Sequence, residues 1–467
     1  MRRLRLATSL VAISAAVVGA TLVSDSPDSS GTPVYTSGTQ SVRNAAFYYG
    51  GAVDVREPQT AATMSALRTR LGKPGLVVVS AGGDDEGDRN TVTNMRALAG
   101  IPDVYRYVNL YSEPEGGSSD LALPGLGWTF CASGTTPPVA RVVNGIPWYF
   151  MNPSSTQART AVTALFQRLH SDGYTGVMID RGLAATQNAS YTSGTKTVKI
   201  WYRKSTCNGG TQTFSDGFTS WTRLAQSQGL KVLFNNGVSA FVTPKMRPDP
   251  SNQNCQQAKW STCPFLGDLW HSTNLVLNES ATQRRDVHWA RNYAGNQASE
   301  SDNEHGYRTV ALVTTLSLDG ATGQTRANVF FAWSRIKLFN ISVAINTGEG
   351  GCPVTNDSTP CNRYGFHPDL TSITFGPPLA RAPRRTSCTK PSEVHCVWHR
   401  TYARGMDLVN VSSTRKTVTL ELGTRGCRFV TDVYSGNLVS SKCVSSVKVT
   451  LSPWSGRPLT YSKTRPS

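Results

Sequence analysis

Two acidic residues stand where apolar runs stop. Asp180 follows Gly176-Val177-Met178-Ile179, and Glu279 follows Leu275-Val276-Leu277-Asn278. If both runs are strands of one closed barrel, their carboxyl groups face a single cavity. Such a pair suits cleavage of an acetal: one group protonates the leaving oxygen, while the other attacks the anomeric carbon or activates water. Candidate contacts surround them. Asn235 and Asn236 close Lys231-Val232-Leu233-Phe234, where amides suit sugar hydroxyls, although Asn-Asn-Gly is also a common turn. Tyr48, Asn109, Trp148, Asn152 and Trp289 offer rings and polar groups to a ligand with apolar C–H faces, and core packing accounts for each of them singly just as well. Arg181, directly after Asp180, completes the set. From chemistry alone either carboxylate could hold either role, and each could instead close its strand in a salt bridge or cap the next helix.

Positioning these residues requires strands. Beside the two runs above and Lys231 to Asn235, apolar runs occur at residues 45–49, 76–79, 104–110, 310–313 and 341–345. All eight are nearly continuous in apolar residues, which is how parallel strands buried on both faces read. Helices are expected between them. Ser154 or Ser155 can cap one carrying Ala158, Val162, Leu165, Phe166 and Leu169 on one stripe; Ser215 or Asp216 can cap another carrying Phe218, Trp221, Leu224 and Ala225 and closed by Gly229. A third, from about 325 to 338, sets Val329, Phe330, Trp333 and Ile336 at core spacing. This alternation predicts an α/β (β/α)8 TIM barrel over residues 42–381, with long excursions after strands three and four. A doubly wound open sheet is the rival, but no Gly-rich phosphate turn follows the first strand. From residue 382 to 467 short alternating runs separated by turns, Val433-Tyr434-Ser435-Gly436 among them, predict an antiparallel C-terminal β-sandwich, with Pro377, Pro378 and Pro383 in the linker.

The passage Trp148-Tyr149-Phe150-Met151-Asn152-Pro153, a helix, and then Gly173-Tyr174-Thr175-Gly176-Val177-Met178-Ile179-Asp180 resembles a stretch of secreted glycoside hydrolases with α-galactosidase-like or polygalactosaminidase-like barrels. The resemblance covers about residues 45 to 350, and the C-terminal strands are similar to the β-domain that often follows such barrels. It implies that Asp180 is the nucleophile, Glu279 the acid/base and a polysaccharide or complex glycan the substrate. Two departures are Thr175, where these proteins commonly carry Asp, and Arg181.

Composition bounds the rest. The chain has 467 residues, 39% hydrophobic, with 25 prolines spread along it, enough for a full core and unlike a disordered chain or a long helical bundle. Arg2, Arg3 and Arg5 precede an apolar stretch that ends at Val18-Gly19-Ala20; residues 1–20 read as a signal peptide, an uncleaved anchor being the alternative. Residues 21–41, rich in Ser, Thr, Gly and Pro, read as a tether. Ten cysteines form an even set, and in an exported chain this implies disulfides. Sequence neighbours suggest Cys255–Cys263, Cys352–Cys361, Cys388–Cys396 and Cys427–Cys443, leaving Cys131–Cys207; the count alone fixes no pairing. No Cys/His cluster has zinc spacing. Asp84, Asp85, Glu86 and Asp88 read as a solvated loop, since they lack the order of a calcium loop. No cofactor, metal or stable membrane insertion is expected. The net charge of +17 favours polyanions, an anionic glycan or cell envelope among them. Nucleic acid is not expected, because the basic residues are dispersed rather than interleaved with aromatics along one stripe. The competing readings are a secreted or envelope-associated hydrolase and a catalytically inactive glycan-binding barrel. Oligomeric state, sugar identity and linkage are not legible.

Overall fold

The structure is a computed structural model, and it describes residues 45–48, 53–79, 85–118, 120–180, 190–193, 195–200, 203–235, 275–278, 309–313, 326–338, 342–346, 368–379, 383–388, 396–422 and 426–466. Eight strands form a closed parallel barrel: β1 (Ala45–Tyr48), β2 (Leu76–Val79), β3 (Asp103–Val108), β4 (Gly176–Ile179), β5 (Lys231–Asn235), β6 (Leu275–Asn278), β7 (Thr309–Val313) and β8 (Ser342–Asn346). Each pairs with its neighbours in chain order, and β8 returns to β1. Closure leaves no edge strand to pair with another chain.

Strand parity sorts the side chains into two cores. Ala45, Phe47, Leu76, Val78, Tyr105, Met178 and Leu233 form the inner cluster, with Tyr107 packed against it. Their alternating neighbours Ala46, Tyr48, Val77, Val79, Val104, Val108, Val177, Ile179 and Val232 belong to the outer core shared with the helices. Gly176 serves the inner cluster. A Cβ there would meet the Tyr105 ring at 2.8 Å and the Lys231 carbonyl oxygen at 2.5 Å, so only glycine lets that ring lie across β4.

The described helices are α1 (Ala61–Leu71), α2 (Asp85–Val92, continued as a π-helical turn to Leu98), α3 (Thr156–Ser171), α4 (Phe214–Ser227), α5 (Arg326–Lys337) and the short α6 (Pro368–Thr371). In α3 the Ser155 side chain caps the first turn, and Ala158, Val162, Leu165, Phe166 and Leu169 are buried; the expected cap and stripe are both present. The helix α4 begins earlier than expected. Gly217 N donates to Thr213 O at 3.0 Å, so Thr213 stands at the cap and Ser215 and Asp216 lie inside the helix. The acidic segment after β2 is likewise no solvated loop: Asp85 to Asp88 are helical, and Asp88 is buried.

Antiparallel strands begin at β9 (Arg384–Thr386) and continue with β10 (Val397–Tyr402), β11 (Gly405–Asn410), β12 (Lys416–Glu421), β13 (Phe429–Asp432), β14 (Asn437–Leu438), β15 (Ser446–Leu451) and β16 (Ser455–Ser462). One sheet runs β9-β10-β11-β16-β13-β14, and β12 pairs with β15. Val397, Met406, Leu408 and Leu459 of the first share a core with Val418, Leu420, Val447, Val449 and Leu451 of the second. Val433 to Gly436 is the turn between β13 and β14, not a strand. The proline linker is docked: Leu379 N donates to Thr401 O at 2.9 Å and Ala403 N to Pro377 O at 2.9 Å.

Disulfides join Cys131 to Cys207, Cys388 to Cys396 and Cys427 to Cys443, in agreement with the neighbour pairing. Cys255, Cys263, Cys352 and Cys361 lie outside the described residues. Among the described residues no helix is long and apolar enough to cross a membrane.

Candidate active site

In a parallel barrel the carboxyl ends of the strands converge on one mouth. Asp180 is the residue after β4, and its amide extends the ladder by donating to Val108 O at 2.9 Å. It shares the parity of Met178, which is in the inner cluster, so its carboxyl group is directed into the mouth. There the Tyr107 hydroxyl of β3 donates to Asp180 Oδ2. The two strands are adjacent, with Tyr107 opposite Met178 in register, and the phenol ring spans the remaining step along the strand.

The strand that carries Tyr107 is anchored from the other side of the wall. Arg106 points outward and is buried, donating from Nε to Asp88 Oδ1 at 3.0 Å and from Nη2 to Asp120 Oδ1 at 2.7 Å. Its Nη1 donates to the carbonyl of Tyr107 at 2.6 Å. Tyr174 donates to Asp88 at 2.8 Å, and Arg168 of α3 approaches Asp88 at 3.5 Å. A buried cation of this kind persists only with its partners in place, and here they tie β3 to α2, to α3 and to the excursion after β3.

That excursion is a three-stranded sheet of residues Ser112–Pro114, Val139–Val143 and Ile146–Phe150. Phe150 packs edge-on against Tyr111 at 5.2 Å, and Phe130 against Phe214 at 5.3 Å, fastening the excursion to the start of α4. Glu113 is buried in it at 2% exposure. Burial pushes its carboxyl up to about 8, with the Ser118 hydrogen bond opposing, Asp120 adding to the rise and Arg141 opposing it.

The other candidates are dispersed. Tyr48 faces outward into the helix-side core, 1% exposed, and donates to Val53 O at 2.6 Å, so its ring has no open face. Asn109 sits just beyond β3, where its Oδ1 accepts from Tyr111 N at 3.1 Å and closes a turn. Trp148 is half-buried in the excursion with the Arg141 guanidinium 4.2 Å over its ring, which covers one face. Asn152 is buried and structural: its Nδ2 donates to Asn208 O at 2.8 Å and its Oδ1 accepts from Ser154 N at 3.1 Å, joining the two excursions beside the Cys131–Cys207 bridge. Asn235 closes β5 in register with Leu277. Arg181, Asn236, Glu279 and Trp289 lie outside the described residues. Among the described residues no group of three or more His, Cys, Asp or Glu side chains could hold a metal ion. Tyr107 was not anticipated from sequence. The available signal was the alternation Tyr105-Arg106-Tyr107, which places two phenols on the face that carries Asp180 across the next strand.

No protein-family model matches the sequence, and no curated protein matches it. Solved structures do. The chain is similar to CldA, a cyclomaltodextrin glucanotransferase with a three-domain ABC distribution, at 12% identity and a TM-score of 0.51, covering 91% of this chain and 100% of that one. It is also similar to an isomaltodextranase of Arthrobacter globiformis T6, at 10% identity and a TM-score of 0.48 over 92% of this chain and 74% of that one. A third is a β-L-arabinopyranosidase from Geobacillus stearothermophilus, at 10% identity and a TM-score of 0.47 over 92% and 97%. The likeness to CldA, at its identity, speaks for a shared fold alone.

Proposed function

We propose that this chain is an exported glycoside hydrolase: a (β/α)8 barrel of residues 42–381 carrying a small β-sandwich of residues 382–467, acting on a polysaccharide or complex glycan. The observation that carries this reading is Asp180, a carboxylate at the carboxyl end of β4 on the inward parity of a closed barrel. Its proposed partner is Glu279, chosen from its place in the sequence directly after β6. Leu233 is in the inner cluster and pairs with Leu275, and Asn235 pairs with Leu277; Glu279 follows that strand in sequence and lies outside the described residues. The three disulfides among the described residues suit an oxidising compartment.

Asp180 acts as nucleophile. Its carboxylate oxygen forms a bond to the anomeric carbon as the bond to the leaving oxygen breaks, and that oxygen takes the pair of electrons and a proton from Glu279. Water then attacks the anomeric carbon, giving its proton to the Glu279 carboxylate, and the ester bond returns its electrons to Asp180. The test is release of reducing sugar from a panel of bacterial and plant glycans, neutral and anionic, by wild type, Asp180→Asn and Glu279→Gln. Both variants are expected to lose several orders of magnitude, on the order of 10³-fold or more, while keeping the wild-type melting temperature. Undiminished turnover in either removes that residue from the mechanism, and an inactive wild type that still binds a glycan reverses the reading in favour of a binding barrel.

A further inference from the structure

We propose that Tyr107 is the positioning residue for Asp180, holding its carboxylate and speeding its departure in the second half of the reaction; this rests on the glycoside hydrolase reading above. Three observations converge. The Tyr107 hydroxyl donates to Asp180 Oδ2. Its ring packs against the inner cluster, to which Phe47, Tyr105, Met178 and Leu233 belong. Its backbone is fixed through the Arg106 network on the outer wall, whose Nη1 reaches the Tyr107 carbonyl. A donor so constrained fixes one carboxylate oxygen in place before substrate arrives, which is preorganisation of the kind that active sites rely on.

The chemistry of the donor matters as much as its place. A phenol is neutral, so it orients the carboxylate without the full ion pair that an Arg or Lys would impose. Hydrogen bonds to a carboxylate are stronger than those to a neutral ester oxygen. Once Asp180 is esterified to the anomeric carbon, the bond from Tyr107 is weakened, and it regains strength as the ester C–O electrons return to Asp180. The hydroxyl therefore favours the step that releases the carboxylate over the step that consumes it. Phe47, Met178 and Leu233 carry no titratable group, and Tyr105 is the other phenol on this face of β3.

Tyr107→Phe keeps the ring in its packing and removes only the donor. With a hydrolysed glycan in hand, the variant is expected to show kcat reduced about 10- to 100-fold together with a lower KM, and to accumulate an intermediate esterified at Asp180, detectable by mass spectrometry of a quenched digest. A purely structural tyrosine would not produce that split. Unchanged kcat, or a rise in KM with kcat intact, overturns the proposal while leaving the hydrolase reading in place. A second measurement needs no substrate. The Raman ring doublet of tyrosine reports donation by the hydroxyl, and the wild-type minus Tyr107→Phe difference isolates this one residue. The strong-donor signature is expected in wild type and is expected to vanish in Asp180→Ala. Its absence in wild type overturns the contact. Its presence in a protein that cleaves no glycan overturns the hydrolase reading, and with it the catalytic role of Tyr107, on grounds separate from the geometry.

Discussion

Glu113 shows how the fold spends stability to hold one carboxyl group in a buried place. Its ordinary value of 4.5 is pushed up to about 8, first by desolvation, against the Ser118 hydrogen bond. Below pH 4.5 the group carries its proton in both the folded and unfolded chain, and its contribution to stability is complete. As pH rises, the unfolded chain releases the proton at its ordinary value while the fold retains it, so stability is lost progressively up to about 8. The difference amounts to on the order of 4 kcal/mol. Glu113→Gln abolishes the titration and keeps the shape. Urea unfolding between pH 4.5 and 8 is expected to give a flatter stability curve for the variant and a gain at pH 8; parallel curves would show that the carboxyl is solvated in the folded chain.

At the scale of elements, the two excursions that frame the mouth are joined where Cys131 meets Cys207, 76 residues apart in sequence, and Asn152 donates across the same seam to Asn208. Closing a loop of that length removes about 4 kcal/mol of unfolded-state entropy in the chain-entropy model. Cys131→Ser with Cys207→Ser is therefore expected to lower the unfolding free energy by up to about 4 kcal/mol and to raise proteolytic cleavage within residues 131–207. Loss of stability without new cleavage would locate the effect in the unfolded chain alone. These elements also show what the sequence could reveal. Helix α3 was legible because a Ser cap, a stripe of buried residues and a stop before Gly173 all agree. The barrel strands were legible as uninterrupted apolar runs. Less was visible in the C-terminal strands. Val433 to Gly436 has β-type residues, yet Asp432 Oδ1 accepts from Tyr434 N at 2.9 Å and Gly436 takes φ 73°, so local hydrogen bonding makes a turn. Strand β16 was hidden by Gly456 and Pro458, which read as breakers. Burial of Asp88 and Glu113, and the meeting of Tyr107 with Asp180, depend on partners remote in sequence, and no local pattern announces them. Glu279 and Trp289 are candidates read from the sequence and lie outside the described residues.

The whole molecule is bound together at α5, the helix between β7 and β8. Phe330 packs edge-on against Tyr434 at 5.0 Å, Phe331 against Trp454 at 6.3 Å, and Trp333 against Phe375 at 5.8 Å. Phe375 in turn stacks on Tyr402 at 4.9 Å, so one aromatic chain runs from the barrel layer into the antiparallel sheet. Polar groups cross the same junction: Arg400 donates to Leu338 O at 2.8 Å, and the Tyr402 hydroxyl donates to Lys337 O. Trp398, Tyr402, Val409 and Val411 belong to the same core cluster as the barrel helices. A shared core of this kind makes the two parts unfold together, where a loose linker would let them unfold apart. The sheet comes close to α5 at Gly456 of β16, where a Cβ would lie 2.4 Å from the Phe330 carbonyl oxygen and 2.7 Å from the Ser334 side chain. Backbone cannot yield that distance without moving the sheet off the helix. Gly456→Val is therefore expected to cost about 3 kcal/mol and to split a single calorimetric transition into two, the lower one belonging to the C-terminal strands. A single transition at an unchanged temperature in the variant would mean that the sheet does not rest on α5, and that the barrel stands without it.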